Sequence, residues 1–167
     1  SYIPEAGLEV LLGIARFWQQ RVNWSANKQQ FVMLGVTGPN EYENNVNNNY
    51  HTSYCAQWCI NYTLEQIENI KTNYPQDYER IVAKTSINAE ELVAMKNIAD
   101  NMYLPFSEEH DVYLQQDGFL DKDLTPVSEL SKEDRPINQK WSWDRILRSA
   151  YIKQADVLQS FYYFEED

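Results

Sequence analysis

Residues 37–49, TGPNEYENNVNNN, run directly into residues 50–70, YHTSYCAQWCINYTLEQIENI. The first half carries a Gly-Pro pair and six Asn, side chains that favour turns and compete with a helical backbone for hydrogen bonds. The second half places Tyr54, Trp58 and Tyr62 four apart, with Leu64 close by, and predicts one long helix. An apolar segment before the loop and a long helix behind it mark the loop as ordered, not a linker. Long helices joined by decorated loops are therefore the expected pattern.

Working outward, EAGLEVLLGIARFWQQRV at 5–22 puts Leu8, Leu11, Leu12, Ala15, Trp18 and Val22 at steps of three and four, a helix with one broad buried face. QQFVMLGV at 29–36 reads as a short strand or extended segment. Further helices are expected over 76–84 and 88–101, the latter with Asn88 as cap and Glu91 at capping-box spacing. From Tyr103 to Ser142 the chain turns irregular and acidic, punctuated by Pro105, Pro126 and Pro136, and reads as an ordered excursion across a domain surface. A last helix is expected from about Ile146 or Ile152 to Phe164, with Ala155, Leu158, Phe161 and Tyr162 on its inner face. There is no βαβ alternation, heptad seam or short repeat, so the fold class is all-α, a helical toroid or bundle.

With 167 residues, 43% of them hydrophobic, one compact core is possible, so length alone does not decide whether the chain is a piece of something larger. The ends favour a piece: the chain opens without Met on SYIPEAGLEV and stops on FYYFEED straight after an apolar helical pattern. No apolar run of about eighteen residues and no leader-like segment is present, so neither a membrane span nor export is expected. A net charge of -11 without a basic stripe argues against nucleic acid. Cys55 and Cys59 lie four apart on a helix, poorly oriented for a disulfide, which fits a reducing, cytoplasmic setting. His51 extends that row to metal-compatible spacing, but without a fourth ligand simple core packing is the better reading, and no metal is expected.

Glu41 and Glu43 are the loop's candidates for chemistry. A carboxylate among amides and aromatics can have its pKa raised by desolvation, the condition a general acid needs near neutral pH. Residues i and i+2 diverge in most conformations, so one can enter a pocket while the other faces away. Taken alone, the loop is equally an Asn-rich turn with solvated acids. Aromatic residues, 14% of the chain, can form stacking floors for sugars. Phe17, Trp18 and Trp58 at helical spacing read as core, whereas Trp141 and Trp143, in irregular sequence, are more plausibly exposed. Lys153 and Gln154 open the final helical stretch and by themselves read as surface solvation.

GVTGPNEYENNVNNN at 35–49, with the Tyr50–Cys59 helix behind it, closely resembles the acid-catalyst loop of the maltose phosphorylases in glycoside hydrolase family 65. LEVLLGIARFW at 8–18, QQDGFLDKDL at 115–124 and YIKQADVLQ at 151–159 resemble segments that follow in the same order there. The resemblance implies that this is part of one (α/α)6-barrel catalytic domain, with an N-terminal β-sandwich, early barrel helices and a phosphate-binding region outside the chain. It implies that Glu41, flanked by Asn40 and Tyr42, is the general acid, and that Lys153 and Gln154 contact the sugar on the non-reducing side of the scissile bond. Asn40 and the Asn-rich continuation look more like maltose phosphorylases than kojibiose or trehalose relatives.

The implied reaction is inverting phosphorolysis of a disaccharide to β-glucose 1-phosphate and glucose. Inorganic phosphate is the co-substrate, no other cofactor is implied, and the full-length enzyme would be a homodimer. A second carboxylate is not required, because phosphate replaces the water and its base. Three alternatives stay open: another disaccharide phosphorylase of the family, acting on trehalose 6-phosphate, kojibiose or nigerose; an inverting hydrolase of the glucoamylase type, with a base across the cleft; and a non-catalytic helical scaffold or carbohydrate-binding module.

Overall fold

The computed structural model describes residues 2–163. They divide into two compact units, one of residues 2–33 and 53–103, the other of residues 34–52 and 104–163. The expected helix at 76–84 and the Asn88-capped helix are present, and the helix at 50–70 runs on to Asn73. No helix among the described residues is long and apolar enough to cross a membrane.

The first unit begins with a π-helical turn, Ile3–Gly7, leading into α1, Leu8–Arg21. Leu8, Leu12 and Ala15 are buried along one face of α1. Helix α2 spans Tyr50–Asn73, α3 spans Pro75–Thr85 and α4 spans Ala89–Asp100. Proline stands in the first turn of α3, where its missing N–H costs nothing, and Ser86 closes that helix in the left-handed conformation. Leu8, Leu12, Ile67, Ile70, Ile81 and Ile87 pack into one buried cluster. These are non-directional contacts, and each buried side chain of that size contributes roughly 1.5–3 kcal/mol.

Two details depart from the expectation. The Asn88 side chain caps α4 by accepting from the Glu91 N–H at 3.0 Å, but the Glu91 carboxylate does not complete the box. It is taken by Arg16, which reaches it at 2.6 and 2.9 Å and also donates to the Thr85 carbonyl. A two-pronged ion pair outcompetes a single backbone N–H. The extended run at 29–36 is shorter than expected and belongs to a hairpin: β1, Asn23–Ser25, pairs antiparallel with β2, Gln30–Val32. Phe31 then bridges to the chain beyond α4, donating to Asn101 O at 2.8 Å and accepting from Tyr103 N at 2.9 Å.

Phe17 and Trp58, expected in the core, are 56% and 41% exposed. Trp58 stacks flat on Tyr62, so that spacing reports a shared aromatic face and not burial, while Phe17 packs edge-on to its chain neighbour Trp18.

The second unit is mostly irregular, as its Pro-punctuated sequence suggests. Its regular parts are the hairpin of β3, Phe106–Ser107, with β4, Val112–Tyr113, and the short helices α5, Ile137–Lys140, α6, Trp143–Leu147, and α7, Val157–Tyr163. The expected last helix is thus broken. Ile146 lies in α6, residues 149–156 are non-helical, and helix resumes only at Val157. Phe164 falls outside the described residues. Leu158, Phe161 and Tyr162 are exposed, and the buried position of α7 is Ser160.

Ile70→Ala, at a site with no exposure, should lower the stability of the chain by about 2–5 kcal/mol, because the fixed cluster leaves a cavity. Asn88→Ala, which removes only the α4 cap, should cost roughly 1 kcal/mol. Denaturant midpoints of the two variants check the order.

Candidate active site

The acid loop is closed at its base by Val36 and Val46, which exchange backbone hydrogen bonds at 2.8 Å in both directions. Asn45 within it and Asn48 just beyond it adopt left-handed backbone angles, φ 53° and 55°, which asparagine tolerates better than other side-chain-bearing residues. This explains part of the asparagine richness. Asn40, Asn47 and Asn49 act through their side chains.

Asn40 is 1% exposed and spends its amide on three parts of the second unit. Its oxygen accepts from Tyr42 N at 3.2 Å and from Lys153 N at 3.0 Å, and its nitrogen donates to Gln115 Oε1 at 3.2 Å. The Lys153 backbone N–H is thereby captured by the loop, which is the physical reason that residues 151–156 do not continue as helix. Tyr42 anchors the other side of Glu41 by packing with Ile137 and Ile146 in a small buried cluster.

Between these anchors Glu41 projects outward. Its Oε2 pairs with Lys153 Nζ across 112 residues of sequence, and its backbone N–H donates to Gln154 Oε1 at 2.9 Å. Glu41, Lys153 and Gln154 therefore meet at one place. The Glu41 side chain is 60% exposed, not desolvated. Hydrogen bonding from Lys153, then from Gln154, holds its pKa below the ordinary glutamate value, opposite to the rise expected for a carboxylate among amides. The Lys153 ammonium is correspondingly stabilised by Glu41.

Glu43 does diverge from Glu41. It is 5% exposed and pairs through Oε1 with Lys122, whose ammonium also donates to Leu147 O at 2.6 Å. One carboxylate of the loop is thus committed internally and the other is free to meet a ligand.

Behind the loop, Asn49 caps α2: its oxygen accepts from Thr52 N at 2.9 Å and Thr52 Oγ1 at 2.8 Å. Its nitrogen donates to Gln115 O at 3.1 Å and to Asp156 Oδ2 at 2.7 Å. Burial is the main influence on Asp156 and pushes its pKa up to about 6, against the opposing effect of Asn49. The sequence reading singled out none of Asn49, Gln115, Lys122 or Asp156. The available signal was Asp156 itself, a charge set between Ala155 and Val157 in an otherwise apolar run.

The other candidate residues have different surroundings. Trp141 is half-buried against the small cluster, with Arg145 over its ring at 3.6 Å, while Trp143 is exposed. Cys55 and Cys59 are half-buried thiols that form no disulfide, and burial raises the pKa of Cys59 and lowers that of His51. Among the described residues no group of three His, Cys, Asp or Glu is placed to hold a metal ion.

Glu43→Gln leaves Lys122 buried without its counter-charge and should cost about 3–5 kcal/mol of stability, read from the denaturant midpoint. Asp156 gives a pH signature. Its folded pKa of about 6 exceeds the reference 3.8, so the folded form binds the proton more tightly and stability contributed by Asp156 falls as pH rises through that window. Comparing the pH dependence of melting for the wild type and Asp156→Asn should show this component vanish in the variant.

Comparison with known proteins places this geometry in a family. The chain is 46% identical to maltose phosphorylase of Bacillus subtilis (strain 168) over 166 residues, covering 99% of the chain and 21% of that protein. It is 37% identical to α,α-trehalose phosphorylase of Thermoanaerobacter brockii, covering 95% of the chain and 20% of that protein. Kojibiose phosphorylase of Halothermothrix orenii is 34% identical, covering all of the chain and 21% of that protein. A solved structure from the human microbiome, assigned provisionally as a kojibiose phosphorylase, superposes with a TM-score of 0.83 at 31% identity, covering 99% of the chain and 23% of the other. The chain thus spans about a fifth of the length of the curated relatives it matches. The family pattern described as the glycosyl hydrolase family 65 central catalytic domain matches residues 1–167, and the chain belongs to that family.

Proposed function

We propose that the chain supplies the general acid and two sugar-contacting residues of an (α/α)6-barrel disaccharide phosphorylase. The favoured reaction is maltose plus inorganic phosphate giving β-glucose 1-phosphate and glucose. The observation that carries the reading is the meeting of Glu41 with Lys153 and Gln154 at one exposed place, from positions far apart in sequence. Maltose is favoured over the trehalose and kojibiose alternatives by the Asn-Glu-Tyr-Glu-Asn-Asn loop and by the higher identity to a maltose phosphorylase.

In this reaction a phosphate oxygen attacks the anomeric carbon from the face opposite the leaving sugar. The glycosidic C–O bond breaks, and Glu41 gives its proton to the departing oxygen. No metal or organic cofactor is called on. The Lys153 hydrogen bond favours the charged form of Glu41, so the acid must be loaded before it can act. A disaccharide whose hydroxyls draw Lys153 away removes the largest influence that depresses the Glu41 pKa. Arrival of the phosphate anion pushes it in the same direction. Gln154 fixes the loop through the Glu41 backbone, and its amide N–H groups suit a sugar hydroxyl.

The test is Glu41→Gln in the full-length protein, which keeps the shape and removes the proton. Phosphate-dependent release of glucose from maltose should fall by at least about 10²-fold. Turnover of α-glucosyl fluoride with phosphate should be largely retained, because fluoride leaves with little protonation. Near-normal maltose phosphorolysis by the variant, or release of glucose without phosphate by the wild type, overturns the reading.

A further inference from the structure

The exposed ion pair between Glu41 and Lys153 does not hold its own geometry. Both side chains are long and solvated, at 60% and 46% exposure, and pairs of that kind contribute little against the entropy of fixing them. Something buried must set the backbones from which they reach. Asn40 supplies one tie, at the Lys153 N–H. A further tie lies beyond Gln154, whose own bond to the Glu41 N–H is exposed.

We propose that Asp156 is a positioning residue that clamps the Lys153-Gln154 segment onto both arms of the Glu41 loop, an inference that rests on the function proposed above. Asp156 is 4% exposed and stands at the end of the non-helical stretch, just ahead of α7. Its Oδ2 accepts from Asn49 Nδ2 at 2.7 Å, which ties it to the loop's trailing arm and to the cap of α2. The leading arm lies directly on that pair at Gly38. A Cβ there would fall 2.3 Å from Asn49 Nδ2 and 2.5 Å from Asp156 Oδ2, so only glycine lets the backbone approach so closely. One carboxylate thus contacts the loop on either side of Glu41, while its own chain carries Lys153 and Gln154.

The chemistry of Asp156 supports positioning over stability. Its Oδ1 is buried with no hydrogen-bond partner, and burial disfavours its charge. A position selected only to pack would hold an apolar side chain, since an incompletely satisfied buried carboxylate is destabilising. Polar groups retained at such a cost cluster where geometry is needed for chemistry.

The experiment measures maltose and α-glucosyl fluoride phosphorolysis in the full-length protein for Asp156→Ala, Asp156→Glu and Asp156→Asn, with Glu41→Gln in parallel. Misplacing an acid by about 1 Å can cost on the order of 100-fold. Asp156→Ala should therefore lose tenfold or more of kcat on maltose, where protonation is needed, and severalfold less on the fluoride, which shares the Lys153 and Gln154 contacts but needs little protonation. Asp156→Glu, one methylene longer but still an acceptor, should show the same selectivity and serves if the alanine variant does not fold. Asp156→Asn, which keeps the length and an acceptor for Asn49, should recover most of the maltose rate. Equal losses on the two donors, as a purely structural role gives, or no loss on either, overturn the inference while Glu41→Gln remains selective. If Glu41→Gln itself is unselective, the functional reading falls and takes this one with it.

Discussion

A buried primary amide must satisfy its oxygen and its N–H groups inside the protein, and Asn40 does so with bonds to three different stretches of chain. Those bonds bring together the loop, the Gln115 segment and the segment of Lys153. Each bond is worth only about 1 kcal/mol net, but leaving any of the buried groups unmatched costs about 1–3 kcal/mol, so the arrangement resists partial change. The break ahead of α7 follows from the same bonds, since the N–H of Lys153 cannot serve both a helix and Asn40. So does the meeting of Glu41 with Lys153 and Gln154.

On that frame two carboxylates of one loop acquire opposite environments. Glu43 is turned inward to Lys122, while Glu41 is turned outward to a lysine that solvent also reaches. The inward pair is an internal brace whose loss leaves an uncompensated charge. The outward pair is separable, because an exposed ammonium exchanges partners at little cost and a sugar hydroxyl can replace a carboxylate. The depressed pKa of Glu41 is therefore produced chiefly by Lys153 and depends on that pairing.

The helices were legible where apolar spacing coincides with burial. The face of Leu8, Leu12 and Ala15 and the cap at Asn88 are local patterns, and local patterns survive folding. Spacing misled where another constraint competed for the same atoms: Leu158, Phe161 and Tyr162 have helical periodicity, yet α7 starts late and leaves them exposed. Glu41 and Glu43 diverge as the i, i+2 spacing suggests, but the surroundings of Glu41 were read with the wrong sign, because Lys153 lies 112 residues away. The buried partners Asn49, Gln115, Lys122 and Asp156 were not legible for the same reason. A polar residue announces its chemistry in sequence but not the partner that buries it.

The two units illustrate different ways of making order. In the first, leucines and isoleucines fill a cluster through contacts that depend on volume and hardly on direction, which tolerates repacking. In the second, Tyr42, Ile137 and Ile146 form a small buried apolar cluster, while Asn40, Asn48, Asn49, Gln115 and Gln116 are buried through their amides. Hydrogen bonds fix direction as well as distance, and in a low-dielectric interior a satisfied network is stiffer than its individual bonds suggest. Such a unit gains little from hydrophobic burial. It gains definition of where each backbone lies, and the Glu41 carboxylate, set among amides, is positioned by that definition and not by the bulk of a core.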